Sequence, residues 1–83
     1  MKDKDISIDI KSPRGRWETS VPKTTKVGDL IELAREHFGF EPGAFILRRE
    51  STGETLAPER PLVSYGIEDG EILLLVPEMG SGV

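Results

Sequence analysis

The sequence predicts an α+β domain in which one helix packs across a mixed sheet of four to five strands. Apolar and polar residues alternate on both sides of a turn near the N-terminus, which is the pattern of a β-hairpin. One later stretch has the three-and-four apolar spacing of a single amphipathic helix. The apolar run Ile72–Val76 has the length of a strand and predicts a central one. We expect one domain over residues 1–77 and a flexible C-terminal tail over residues 78–83.

The composition excludes several classes of function. The 83 residues carry a formal net charge of −4, so we expect neither nucleic acid nor an anionic membrane as a partner. No apolar run is long enough to span a bilayer. The chain has no cysteine and therefore no disulfide, thiol nucleophile or cysteine-based zinc site. These features fit a monomeric protein of the cytoplasm.

The hairpin is predicted from two alternating segments. Ile6–Ile10 places an isoleucine at every second position, and Trp17–Val21 repeats the pattern with Trp, Thr and Val. Between them, Pro13 presets a turn and Gly15 tolerates a positive φ. Pro22 ends the second strand because proline cannot donate to a central ladder. Trp17 shares a face with core residues, so we interpret it as a core side chain rather than a recognition aromatic. We expect Arg14 and Arg16 to be solvated; that they edge a binding surface is the alternative that the sequence leaves open.

The helix follows the hairpin. Thr24 and Thr25 are candidate N-caps, and Gly39 is a good residue to end the helix because glycine adopts the left-handed conformation readily. Gly28 weakens the start of the helix. The apolar stripe, which we expect to face the sheet, comprises Val27, Leu30, Ile31, Ala34 and Phe38.

Three more strands complete the prediction. Phe45–Arg48 is a strand, Glu54–Ala57 a short strand and Leu62–Gly66 a helical turn before the last strand. The last strand is expected to lie parallel and adjacent to the first. Pro77 ends it.

No residue pattern indicates catalysis. His37, the only histidine, has no partners at the spacing that a metal or a general base requires, and we expect it at the surface or its boundary. No serine or threonine has a plausible base and orienting acid, and the glycines form no phosphate loop. The acidic residues from Glu68 to Glu71 fit a turn at the start of a strand better than a cation site. We therefore predict a protein that is not an enzyme, with no metal and no cofactor.

Several residues in order resemble ubiquitin and its relatives. They are the hairpin with Gly15, the helix ended by Gly39, the segment Leu62-x-x-Tyr65-x-Ile67 and the final apolar strand. The resemblance covers Ile6 to about Val76 and implies the β-grasp fold. The stretch from Thr52 to Gly70 also resembles bacterial and archaeal ubiquitin-like proteins, including small type VII secretion accessory proteins of the YukD kind.

The resemblance implies a protein-binding surface on the sheet. If Leu73 and Leu75 face the helix, then Ile72, Leu74 and Val76 face outward, and ubiquitin binds partners through the corresponding surface. The predicted patch consists of Ile46, Arg48, Leu74 and Val76.

Three functions remain open on this resemblance. A modifier precursor would lose Val83 to a tail-trimming protease. Its conjugation tail of Gly80, Ser81 and Gly82 would then join target proteins through Gly82, with activating and conjugating enzymes as partners. This is the main hypothesis, because Ser81-Gly82 falls where the diglycine of ubiquitin lies. The alternatives are a non-conjugated interaction module, such as a type VII secretion accessory protein, and a sulfur carrier.

Overall fold

The computed structural model describes residues 5–78. The chain forms a hairpin, one helix and three further strands, in the order expected from the sequence. The element bounds are β1 Asp5–Ser12, β2 Gly15–Pro22, α1 Val27–Phe38, β3 Phe45–Arg49, β4 Thr55–Leu56, a 3₁₀ turn Leu62–Tyr65 and β5 Glu71–Pro77.

Within residues 5–78, five strands form one mixed sheet in the order β2-β1-β5-β3-β4. β5 lies parallel to β1 and antiparallel to β3, so the apolar run in β5 occupies the centre of the sheet. The helix α1 is the crossover that allows this parallel pairing. The predicted α+β architecture and the parallel position of the last strand are confirmed.

The core lies between the sheet and α1. The isoleucines of β1 and the alternate leucines of β5 point toward the helix, and four of the five predicted stripe residues of α1 are buried, while Phe38 is partly buried. The eight largest of the fully buried side chains are Val27, Leu30, Ile10, Leu47, Leu56, Leu62, Leu73 and Leu75. This one-sided burial follows from the period-two pattern of the strands.

The start of α1 is held differently from the prediction. The N-cap is Lys26, which makes no side-chain cap, so the expectation of a threonine cap was wrong. Instead, the Val27 N–H donates to the Arg60 carbonyl at 2.9 Å and the Gly28 N–H to the Pro58 carbonyl at 2.8 Å. A Cβ on Gly28 would lie 3.1 Å from that Pro58 oxygen. Gly28 therefore lets the loop approach closely enough to satisfy the helix donors.

The end of α1 lies where the sequence predicts it, and the hairpin turn contributes to it. Gly39 adopts the left-handed conformation at φ 77° and terminates the helix, as predicted. Arg14 is exposed, as expected, and it also makes contacts that the sequence did not predict. Its Nη1 donates to the Phe38 and Gly39 carbonyls, both at 3.1 Å, and its guanidinium lies over the Phe40 ring. The hairpin turn thus caps the C-terminus of the helix.

The predicted tail lies almost entirely beyond the structure. β5 ends at Pro77, and the Glu78 N–H donates to the Ala44 carbonyl at 2.9 Å. The predicted conjugation residues Gly80, Ser81 and Gly82, with Val83, lie outside the described residues. The division into a domain and a tail therefore stays a prediction.

Candidate functional site

The sheet face turned away from α1 is the candidate functional surface. Its geometry follows from strand parity: in β3 and β5, Leu47 and Leu75 are buried beneath the helix, so the residues on either side of them point outward. The buried residues of the five strands all lie on the opposite face, beneath α1.

The structure brings the four predicted patch residues together. Ile46 is the direct cross-strand partner of Val76, and Arg48 is the partner of Leu74. Directly opposite residues in an antiparallel pair have Cβ atoms about 5 Å apart, so the four side chains are neighbours on one face. The three apolar side chains are half-buried and Arg48 is exposed. The patch exists as a surface, and its role in binding stays a prediction.

Two residues that the predicted patch left out extend this surface. On the other side of β5, Lys11 is the partner of Leu74, and Ile72 stands two residues before Leu74 on the same face. Leu74 therefore lies between the cations Lys11 and Arg48. Lys11 Nζ forms an ion pair with Glu50 at 3.1 Å, whereas Arg48 makes no ion pair within residues 5–78. The outward parity of Ile72 was visible in the sequence, but the position of Lys11 depends on the β1–β5 register.

The β1–β2 half of the outer face is polar. Arg16 donates to both carboxylate oxygens of Asp9 and lies 3.7 Å from Glu18. These carboxylates, chiefly the hydrogen-bonded Asp9, raise the pKa of Arg16 above its ordinary value. Beside this cluster, the small side chains of Ser7 and Ser20 leave a shallow depression of about 560 Å³. The outer face is thus apolar at β5 and β3 and polar at β1 and β2.

A row of aromatic side chains runs from β2 past the end of α1 to β3. The rings of Trp17 and His37 stack in parallel, with centroids 4.2 Å apart. Phe38, Phe40 and Phe45 continue the row through tilted and edge-on contacts. Trp17 is partly buried and packs against the core, and His37 is an exposed residue at its margin, both as predicted.

The described residues hold no arrangement typical of metal binding. Between Asp5 and Glu78, no three histidine, aspartate or glutamate side chains converge on one point. The acidic turn is used structurally, because an Asp69 carboxylate oxygen accepts a hydrogen bond from the Ser7 N–H at 2.8 Å. Within the same range, no helix is both long and apolar enough to cross a bilayer.

A match to a protein-family model shows which family the chain belongs to. The model of one family, described as "WXG100 protein secretion system (Wss), protein YukD", matches residues 5–75. The chain belongs to the YukD family. The match runs from the first residue of β1 to Leu75, so it covers the helix and all of the sheet except the last two residues of β5, Val76 and Pro77. No curated protein matches this YukD-family chain in sequence.

Solved structures agree with this YukD-family fold. A de novo designed protein based on ubiquitin is 24% identical with a TM-score of 0.78, covering 96% of this chain and 98% of that one. Caldiarchaeum subterraneum ubiquitin is 22% identical with a TM-score of 0.77, covering 94% and 99%. The ubiquitin-like domain of Plasmodium falciparum Dsk2 is 24% identical with a TM-score of 0.78, covering 89% and 99%. These likenesses establish the ubiquitin-like β-grasp fold that the sequence resemblance implied.

Proposed function

We propose that this protein is a non-enzymatic, non-conjugated interaction module of a prokaryotic type VII secretion apparatus, acting in the cytoplasm. The observation that carries the proposal is the family match over residues 5–75, whose description names the WXG100 secretion system. The matched segment contains three of the four patch residues, Ile46, Arg48 and Leu74, and ends before the C-terminal glycines. The alternative stated at the outset therefore has better support than the modifier hypothesis.

The outer face supplies the means of binding. Ile46, Leu74 and Val76 form a continuous apolar strip, flanked by the cations Arg48 and Lys11. An apolar centre with a charged rim is the usual anatomy of a protein–protein interface. We propose that the partner places an apolar side chain over Leu74 and acidic groups near the two cations.

The modifier and sulfur-carrier hypotheses both depend on the tail. They require Gly82 to become the reactive C-terminus after Val83 is removed. Gly80, Ser81 and Gly82 lie outside the described residues and beyond the family match. No observation supports their processing, so activating enzymes, a protease and conjugated targets are not part of the proposal.

Replacing Leu74 with glutamate is expected to abolish the function while leaving the domain folded. The substitution puts a carboxylate at the centre of the apolar strip, where the partner would have to bury it unpaired. Leu74 points away from the core, so we expect a thermal melt close to that of the wild type. The measurement is export of WXG100 proteins by the native host after deletion of the gene and complementation with each variant.

Two further variants make this test decisive. Val63→Glu has the same change in charge at an exposed apolar residue away from the patch, and it should restore export fully. A chain truncated after Glu78 lacks every tail glycine and should also restore export. If the truncated chain fails to restore export, the proposal that the protein acts without conjugation is wrong and the modifier hypothesis is favoured. If Leu74→Glu supports normal export, the outer-face patch is not the surface that binds the partner.

A further inference from the structure

The shallow depression on the outer sheet face lies where the strands carry small outward residues. Ser7 of β1 and Ser20 of β2 are direct cross-strand partners, and their hydroxyl oxygens lie 3.4 Å apart. Gly70, which has no side chain, borders the same space just before β5 begins. The depression has a volume of about 560 Å³, so it has room for a long side chain of a bound protein. We call it the serine depression.

The serine depression is continuous with the outer-face patch. Ile72 lines the depression and stands two residues before Leu74 on the same face of β5. On β1, Ser7 lies four residues before Lys11, the partner of Leu74, which is a distance of about 13 Å along a strand. An extended segment of five residues spans the same distance. One partner segment can therefore contact Leu74 and place another side chain in the depression.

The walls of the serine depression offer both apolar surface and hydrogen-bond acceptors. Ile72 is half-buried and forms one wall, and the carboxylates of Asp9 and Glu18 follow it across β1 and β2. Arg16 directs its hydrogen bonds to Asp9, whereas the Glu18 side chain is 78% exposed and lies 3.7 Å from the guanidinium. The Glu18 carboxylate and the serine hydroxyls therefore keep oxygens that can accept hydrogen bonds. This combination suits a long aliphatic side chain that ends in a cation.

The charges around the serine depression are mainly acidic, unlike those beside Leu74. The Asp69 carboxylate, which accepts the Ser7 N–H, borders a second, smaller hollow next to the depression. Within residues 5–78, the charged side chains that line the two hollows or pair with their carboxylates are five acids and two cations: Asp5, Asp9, Glu18, Glu68 and Asp69, with Arg16 and Lys23. Leu74, by contrast, lies between the cations Lys11 and Arg48. A partner of complementary charge is basic where it meets the depression and acidic beside Leu74.

We propose that the serine depression binds a lysine or arginine side chain of the partner whose apolar residue covers Leu74. The aliphatic stem of this side chain lies against Ile72, and its cation binds the Glu18 carboxylate and the serine hydroxyls. This second contact rests on the proposed function, because it belongs to the same partner. Its charge requirement is opposite to that of Lys11 and Arg48, so the two contacts can be tested separately.

The probe is a nine-residue peptide with a central leucine and a lysine four residues away on each side, so that it can bind in either direction. Titrated into the ¹⁵N-labelled protein at low salt, it should shift the amide signals of Ser7, Ser20 and Gly70 together with that of Leu74. A peptide with norleucine in place of lysine keeps the aliphatic stem but lacks the ammonium group. It should bind about 3-fold more weakly, the effect of one exposed ion pair.

Two pairs of variants locate the bound lysine. Glu18→Gln should remove most of the preference for lysine over norleucine, whereas Glu59→Gln loses the same charge in the loop after β4 and should retain the preference. Ser20→Ile should fill the depression and abolish the shifts at Ser7 and Gly70, whereas Ser20→Ala leaves it open and should bind like the wild type. Ser20 is exposed and isoleucine is favoured in strands, so we expect Ser20→Ile to fold. If it does not fold, the Glu18 and Glu59 variants still decide the test.

The outcomes separate this contact from the proposed function. Shifts at Leu74 with equal binding of the lysine and norleucine peptides would overturn the basic contact and leave the proposed function intact. Lysine-dependent shifts at the depression without any at Leu74 would support the basic contact and contradict the outer-face patch. A lysine preference that Glu18→Gln leaves unchanged would overturn the basic contact.

Two further results would also overturn it. One is the absence of any shift at millimolar peptide, in which case the export experiment alone would judge the proposed function. The other is a concentration-dependent shift at the serine depression without peptide, because a second copy of this chain would then be the occupant.

Discussion

Leu73→Ala is expected to lower the free energy of unfolding by about 2–5 kcal/mol, the cost of truncating a fully buried leucine. Leu73 has no exposed surface and lies in β5, the central strand, between Ile10 of β1 and Arg49 of β3. Its side chain points toward α1, so the cavity would open between the sheet and the helix. Small domains have a total stability of about 5–15 kcal/mol, and a loss of this size would be a large part of it.

The measurement is urea unfolding followed by Trp17 fluorescence and, independently, by circular dichroism. Leu74→Ala is the matched control, because it removes the same atoms from the next residue on the opposite face of the same strand. Leu74 is half-buried, and we expect its truncation to cost about 1 kcal/mol or less. Equal losses from the two variants would contradict the one-sided core and the parity on which the outer-face patch depends.

The elements that were predicted well are those that depend only on residues close together in the sequence. The alternation in Ile6–Ile10 identifies the buried face of β1 because a strand has a strict period of two. Gly39 identifies the end of α1 because a left-handed residue at that position favours glycine. The patch at Ile46, Arg48, Leu74 and Val76 also follows from parity, once β3 and β5 are taken to pair.

The features that the sequence did not predict depend on contacts between distant segments. The donors at the start of α1 are satisfied by carbonyls of Pro58 and Arg60, which lie some thirty residues later, so the nearby threonines were misleading. Arg14 caps the other end of α1 from the hairpin turn. Lys11 joins the outer-face patch only because the β1–β5 register places it beside Leu74. Local propensity contains no information about such registers.

The pairing of Arg49 with Glu71 is another consequence of register that no local sequence pattern indicates. Arg49 donates to both Glu71 carboxylate oxygens, at 3.1 and 3.2 Å, and to the Tyr65 carbonyl at 3.0 Å. The two side chains are only 18% and 14% exposed. Hydrogen bonding to Glu71 raises the pKa of Arg49 above its ordinary value, so the guanidinium stays charged at any working pH. The pair links β3, β5 and the 3₁₀ turn at one end of the core.

Replacing Arg49 with methionine is expected to destabilise the domain by about 2 kcal/mol. The methionine retains much of the packing volume but leaves the Glu71 carboxylate largely desolvated without its cation, and breaking a buried pair costs more than the pair itself contributes. The double variant Arg49→Met with Glu71→Met should recover at least half of the loss, because the only carboxylate left without Arg49 is that of the exposed Glu54. Lys11→Met breaks the exposed pair with Glu50 and should cost less than about 0.5 kcal/mol. Urea unfolding of the three variants gives the comparison. If Arg49→Met costs no more than Lys11→Met, or if the double variant is less stable than Arg49→Met, the pair at the end of the core does not hold the sheet to the 3₁₀ turn.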